Sequence, residues 1–240
     1  MVAPVDAAGA VATRTVARRR AGEVVVVAIA GPVAVGKSTL AAGVAEVIAS
    51  PVTRVAVVGT DGFLFPNAVL ERRGLALRKG FPESYDVDAL VRFVESMRAG
   101  APRSIPVYSH DTYDVVPGDR RVVPAADVVV IEGVNALSAL SAAGGLVDLS
   151  VYLDAPEDVV EAWYVERFLA LCESARPSSF YARFSGMDAA ALDALAREVH
   201  RAVNVANLRA HIAPSRALAE VVIEKRADHS VATIVDAASR

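Results

Sequence analysis

One cysteine, Cys172, stands in 240 residues. No disulfide can close within the chain, and a reducing, cytoplasmic setting is expected. Lysine is nearly as scarce. Lys37, Lys79 and Lys225 are the only lysines among 25 basic residues, so arginine carries almost all the positive charge and each lysine invites inspection. Long apolar runs are missing too. The longest, Val24–Ala30, falls far below the ~20 residues that cross a bilayer, so no membrane association is expected. Net charge is only −3, with pI near 5.8. That excludes a general nucleic-acid binder, which must neutralise many phosphates at once. It leaves room for a small cationic site. What the chain does have is apolar substance. With 54 % hydrophobic and 22 % charged residues it reads as globular, and its length fits one large domain.

Residues 1–22 are rich in Ala and Val and end in Arg18-Arg19-Arg20, with no apolar core of the kind a secretory signal needs. They read as a mobile tail ahead of a single domain over 23–240. Within that domain apolar strands alternate with helical patterns. Strands are expected at Glu23–Ala30, Arg54–Thr60, Asp127–Glu132, Leu149–Asp154 and Ala219–Lys225, with a short extended piece at Ile105–Ser109. Helices are expected at Lys37–Ala49, Asp88–Arg98, from Pro156 to Glu173, and over Asp188–Ile212 up to Pro214. Residues 229–240 are ambiguous between helix and strand. Near-continuous apolar strands separated by helices give an α/β fold, a mostly parallel sheet covered on both faces. Phe63–Tyr85 and Tyr108–Arg121 are too long and polar for simple connections and read as functional loops.

Gly31-Pro32-Val33-Ala34-Val35-Gly36-Lys37-Ser38 fits G-x4-G-K-[ST], after an apolar strand and before a helix. The chemistry requires that order. Backbone N–H groups from Gly31, Val33, Ala34, Val35 and Gly36, and from the helix start at Lys37, Ser38 and Thr39, can face a phosphate chain. Lys37 adds a cation at the β- and γ-phosphates, and the Ser38 hydroxyl suits Mg²⁺. The motif makes the fold P-loop NTPase-like and points to ATP or GTP. Asp61 and Glu132 fall just beyond strand ends, where open α/β sheets bind ligands. In a phosphoryl transferase one such acid takes the proton of the attacking hydroxyl, and another supports the metal. Asp154, a third strand-end acid, is expected to cap the helix after Pro156. Cys172 reads as a small apolar filler.

With these residues assembled, the chain resembles the bacterial type I pantothenate kinases, within the uridine kinase/phosphoribulokinase-like group. The resemblance runs through AGPVAVGKSTL (Ala30–Leu40), TDGFLFPNAVLERRG (Thr60–Gly74), KGFPESYD (Lys79–Asp86), PVYSHDTYDVV (Pro106–Val116), IEGVNAL (Ile131–Leu137), LDAPEDVVEAWYVERF (Leu153–Phe168), Asn204–Leu208 and His229. It implies ATP-dependent phosphorylation of pantothenate, the opening step of coenzyme A synthesis, with Mg²⁺. It implies Asp61 as general base, Lys37 and Arg167 as phosphate-facing cations, and Ser38 and Glu132 at the metal. It further implies substrate contacts at Tyr108, His110, Tyr113, Tyr164, Phe180 and Asn204, with adenine stacked on His229. A homodimer is the family's habit.

The departures are specific. Family members carry a longer stretch before the first strand. Ala42 stands where the family has an arginine that meets the phosphates of the inhibitor coenzyme A, Leu171 stands at an aromatic position, and 174–184 is short, reading Phe180-Tyr181 where Tyr-Phe is usual. Feedback by coenzyme A is therefore expected to be weakened. Two alternatives stay open on the residues alone: a P-loop kinase of another small alcohol, such as a nucleoside, a sugar or glycerate, and a nucleotide-binding regulator without catalysis.

Overall fold

In a computed structural model of the chain, residues 6–237 are described. Helix α1 (Ala7–Ala17) comes first, where a tail was expected. The Asp6 carboxylate caps it by accepting from Gly9 N at 2.9 Å. Val11, Ala12 and Thr15 turn inward and are buried. The tail reading fails because Ala and Val here form an apolar stripe against a small-residue surface: an added Cβ on Gly43 would stand 3.1 Å from Ala8 Cβ. Arg14 then grips both carboxylate oxygens of Asp236, at 3.0 and 2.8 Å.

The remaining helices are α2 (Lys37–Ile48), α3 (Asn67–Arg72), α4 (Val87–Arg98), α5 (Ala136–Ser141), α6 (Glu157–Glu173) and α7 (Ala189–Val199). The strands are β1 (Val25–Ala30), β2 (Val55–Gly59), β3 (Arg103–Ser109), β4 (Asp114–Val123), β5 (Val128–Glu132), β6 (Leu149–Asp154), β7 (Val221–Lys225) and β8 (Val231–Asp236). Six strands form one sheet in the order β2-β5-β1-β6-β7-β8. Its pairs are parallel except β7–β8, so within the ambiguous stretch 229–240 Val231–Asp236 is an antiparallel edge strand, and 238–240 lie outside the described residues. No described helix is long and apolar enough to cross a membrane.

The sheet is buried on both sides, and β1 shows how. Val26, Ala28 and Ala30 join one core with Phe93, Met97, Leu137 and Leu140. Val25, Val27 and Ile29 join the other with Val11, Leu40, Val44 and Trp163. A strand buried on both faces has no polar position to offer, hence its unbroken apolar run.

Three expectations are corrected. Tyr108–Arg121 is not a loop: β3 and β4 form an antiparallel hairpin apart from the main sheet. β4 is exposed over residues 117–122, so burial left no alternation to read. The long helix expected over 188–212 is α-helical only to Val199, and widens into π-helical turns over His200–Val205 and Leu208–Ile212. Asp154 does not cap α6, whose N-cap is Pro156; its carboxylate instead pairs with Arg216 at 2.8 Å.

Candidate active site

The strand ends set the geometry. β5 lies between β1 and β2, with Glu132 level with Ile29 on one side and Gly59 on the other. The phosphate loop leaves β1, the Asp61 turn leaves β2, and Glu132 closes β5, so the three motifs converge at one sheet edge. Close packing there needs glycine. An added Cβ on Gly133 would fall 1.8 Å from Thr60 Oγ1, so no larger residue can follow Glu132.

The loop turns into α2 through Gly36 at φ 93°, a left-handed conformation suited to glycine. Lys37 is buried, and its amine donates to the Pro32 carbonyl at 2.7 Å. Burial lowers its pKa to about 8, against the pull of Glu132 and Asp61, and the nearby Arg167 charge lowers it further. Ser38 Oγ donates to Glu132 Oε1 at 2.9 Å. Burial raises the pKa of Glu132, while Lys37 and the Ser38 hydrogen bond oppose the shift.

Asp61 sits in the turn Thr60–Phe63. The buried Phe63 ring, 5.7 Å from Phe93, anchors that turn in the core. Lys37, Ser38, Asp61 and Glu132 line one cavity of about 230 Å³ together with Tyr108, His110, Tyr113, Tyr164, Arg167 and Asn204. Tyr164, Arg167, Phe168 and Leu171 recur at helical spacing, so one face of α6 forms a wall. Burial raises the pKa of Tyr164, and the Asn204 amide counters the rise. A larger groove of about 680 Å³ lies between the end of α6 and the 175–192 segment. It includes Cys172 but none of the expected site residues, so size alone does not pick the site.

Of the residues expected to act through their side chains, two fall elsewhere. Phe180 lies behind Tyr113, with ring centroids 4.8 Å apart, and under Arg183; its neighbour Tyr181 lines the cavity in its place. Adjacent residues of a tight turn point in different directions, so the ring that reaches the cavity is that of Tyr181. His229 is exposed beyond the cavity, stacked on Trp163 at 4.2 Å. Lys225 lies 5.2 Å from the same Trp163 ring and donates to the Val35 carbonyl of the phosphate loop.

Sequence reasoning missed Lys79 as a site residue; the rarity of lysine was the available signal. Its amine donates to Asn67 Oδ1 at 2.6 Å and to the Tyr113 carbonyl. It lies 4.2 Å from the Tyr113 ring centroid, at the cavity wall. Tyr113 holds φ 52°, a strained left-handed conformation for a residue with a side chain. Burial lowers Lys79 to about 8, opposed by Asp114 and Asp61. The site thus carries Lys37 at the phosphate loop, Arg167 on the α6 wall and Lys79 on its aromatic side.

The Phosphoribulokinase / Uridine kinase family matches residues 26–170. A pantothenate kinase of Clavibacter sepedonicus is 46 % identical over 220 residues, covering 88 % of this chain and 69 % of that protein. One from Chelativorans sp. (strain BNC1) is 42 % identical over 222 residues, covering 86 % and 69 %. A solved structure of a candidate fructose transport system kinase from Silicibacter sp. TM1040 superposes with TM-score 0.70 at 25 % identity, covering 86 % of this chain and 93 % of that one. A P-loop joined to an acid-bearing pocket, with relatives of this identity and coverage, fixes the lineage: the chain belongs to the phosphoribulokinase/uridine kinase family, among its pantothenate kinases.

Proposed function

We propose that the protein transfers the γ-phosphoryl group of ATP to the primary hydroxyl of pantothenate. The observation that carries this reading is the continuity of one cavity from Lys37 and Ser38, past Asp61, to Tyr108, Tyr113, Asn204 and Lys79. Pantothenate presents an alcohol, an amide and a carboxylate. Asp61 accepts the proton of the alcohol, whose oxygen attacks the γ-phosphorus. The bond to the β–γ bridging oxygen breaks, and ADP leaves with that electron pair. Lys37 and Arg167 balance the negative charge on the transferring group, the main work in such a reaction. Asn204 pairs with the amide, and Lys79 takes the carboxylate.

The donor set suits Mg²⁺. Ser38 and Glu132 offer hard oxygens 2.9 Å apart, and Mg²⁺ usually takes one or two carboxylates with phosphates and water for the rest. Bound there, it would neutralise phosphate charge. The described residues contain no cluster of three or more His, Cys, Asp or Glu able to hold a metal alone, which fits a metal shared with the nucleotide. His229, on the Trp163 stack, is a surface for adenine. Ala42, exposed on α2 five residues past Lys37, offers no donor to coenzyme A, and feedback is weak on that account. A homodimer and a cytoplasmic location are inferred from the same resemblance; light scattering and cell fractionation test them.

The test is to incubate the protein with Mg²⁺·ATP and pantothenate, uridine, glycerate or fructose, and weigh the products. Phosphopantothenate should dominate. Asp61→Asn should cut turnover roughly 10²–10⁴-fold, the usual worth of a positioned acid or base. Turnover of another alcohol without pantothenate would overturn the substrate; a fully active Asp61→Asn enzyme would remove the base.

A further inference from the structure

Gly80, which follows Lys79, has a carbonyl held by two buried amides. Asn135 Nδ2 donates to it at 2.7 Å and Asn207 Nδ2 at 2.8 Å. They reach it from 55 and 127 residues away in the chain. Asn135 stands three residues after Glu132, and Asn207 three after Asn204, so three site-bearing segments meet at one oxygen. Both side chains are almost wholly buried, at 4 % and 5 % exposure. Their Oδ1 atoms have no partner among the described residues. Flipping either amide would turn its oxygen against the Gly80 carbonyl, so the arrangement fixes both orientations. Two buried acceptors left unmade cost stability, and packing alone would favour leucine at both positions.

The clamp sits where Lys79 is aimed. Gly80 has φ 92°, and its N–H donates to Ser84 Oγ at 2.9 Å. Gly80 is therefore tied through both its N–H and its carbonyl while the Lys79 amine reaches Asn67 and Tyr113. We infer that Asn135 and Asn207 are positioning residues: by gripping the Gly80 carbonyl they set Lys79 against the carboxylate of the alcohol substrate, and through their own segments keep it in register with Glu132 and Asn204. This rests on the reading that Lys79 takes that carboxylate.

Asn207→Leu and Asn135→Leu test it, since leucine keeps the approximate volume and removes donor and orphaned acceptor together. Each variant should fold with a melting temperature at or above wild type. The KM for pantothenate should rise about 10–100-fold, the scale of a small misplacement of a binding group, with the KM for ATP unchanged. A purely structural role would instead lower the melting temperature and move both KM values. In a Lys79→Met background, Asn207→Leu should add little, because the group it aims is gone. An unchanged pantothenate KM, an equal rise for ATP, or effects that multiply in the double variant would overturn the proposal. So would failure of both single variants to fold, which would make the pair structural. If the wild type phosphorylates another alcohol and not pantothenate, the substrate reading fails; the same cycle run on that alcohol still decides the clamp.

Discussion

Replacing Lys37 with methionine separates what the phosphate loop costs from what it does. The Lys37 amine is buried and its pKa falls from 10.5 to about 8. Its folded pKa lies below its unfolded one, so the unfolded chain binds the proton more tightly. Burying the charge costs the fold in full below pH 8. The cost is relieved as pH rises from 8 toward 10.5. At about 1.36 kcal/mol per unit, it amounts to roughly 3 kcal/mol at neutral pH. Methionine escapes it but leaves the Pro32 carbonyl, which accepts from Nζ at 2.7 Å, without that partner, at about 1–3 kcal/mol. At pH 7 the variant should therefore match or exceed wild type in stability, by up to about 2 kcal/mol on those magnitudes. The pH trend does not depend on that offset. Between pH 7 and pH 10 wild type should gain on Lys37→Met by about 2–3 kcal/mol, or about 5–10 °C for a domain of this size. Thermal unfolding of both proteins at the two pH values reads it directly. Lys79 and Lys225 also have lowered pKa values, but they are present in both proteins and cancel. Phosphotransfer by the variant should be crippled at either pH. A stability gap independent of pH would refute the claim that Lys37 is held at the expense of the fold.

Three further outcomes follow from the site and its surroundings. At saturating ATP, kcat/KM for pantothenate should fall as pH rises through about 8, because Lys79 loses its charge there; Lys79→Arg should push that limb beyond the measured range even if it weakens binding, and an unmoved limb would exclude Lys79 as its source. Ala42→Arg should tighten coenzyme A inhibition by roughly 10–150-fold, the worth of one charge-assisted hydrogen bond to phosphate; tight inhibition of wild type that the substitution leaves unchanged would sink the idea. Val11→Asp, at a wholly buried position of α1, should lower the melting temperature by many degrees, whereas Val16→Asp at a half-exposed one should hardly change it; equal, small effects would return residues 7–17 to the status of a tail.

What the sequence disclosed and what it hid divide along a physical line. The phosphate loop, Asp61 and Glu132 were legible because each sits beside the strand that positions it, and strand and motif are contiguous in the chain. The buried strands were legible because two-sided burial leaves only apolar residues. Helix α1 was hidden because its partner is a surface of small residues around Gly43, and contact between small residues leaves no strong periodic signal. The β3–β4 hairpin was hidden by Pro106 and Gly118, residues that punctuate turns in most settings and here lie within strands of an exposed pair. Phe180 and Tyr181 could not be told apart, since only the turn decides which ring faces the cavity. Lys79 is the extreme case. Its rarity and the KGFPESYD segment draw attention to it, but not to where its amine goes; that amine meets the Tyr113 carbonyl, 34 residues on and turned by a left-handed backbone, while amides arrive at Gly80 from two other segments. A motif announces the half of this site that handles phosphate, whose chemistry is the same for every acceptor. The half that chooses the acceptor is built by tertiary contact, which is why one fold can serve many alcohols and why substrate choice must be read from packing.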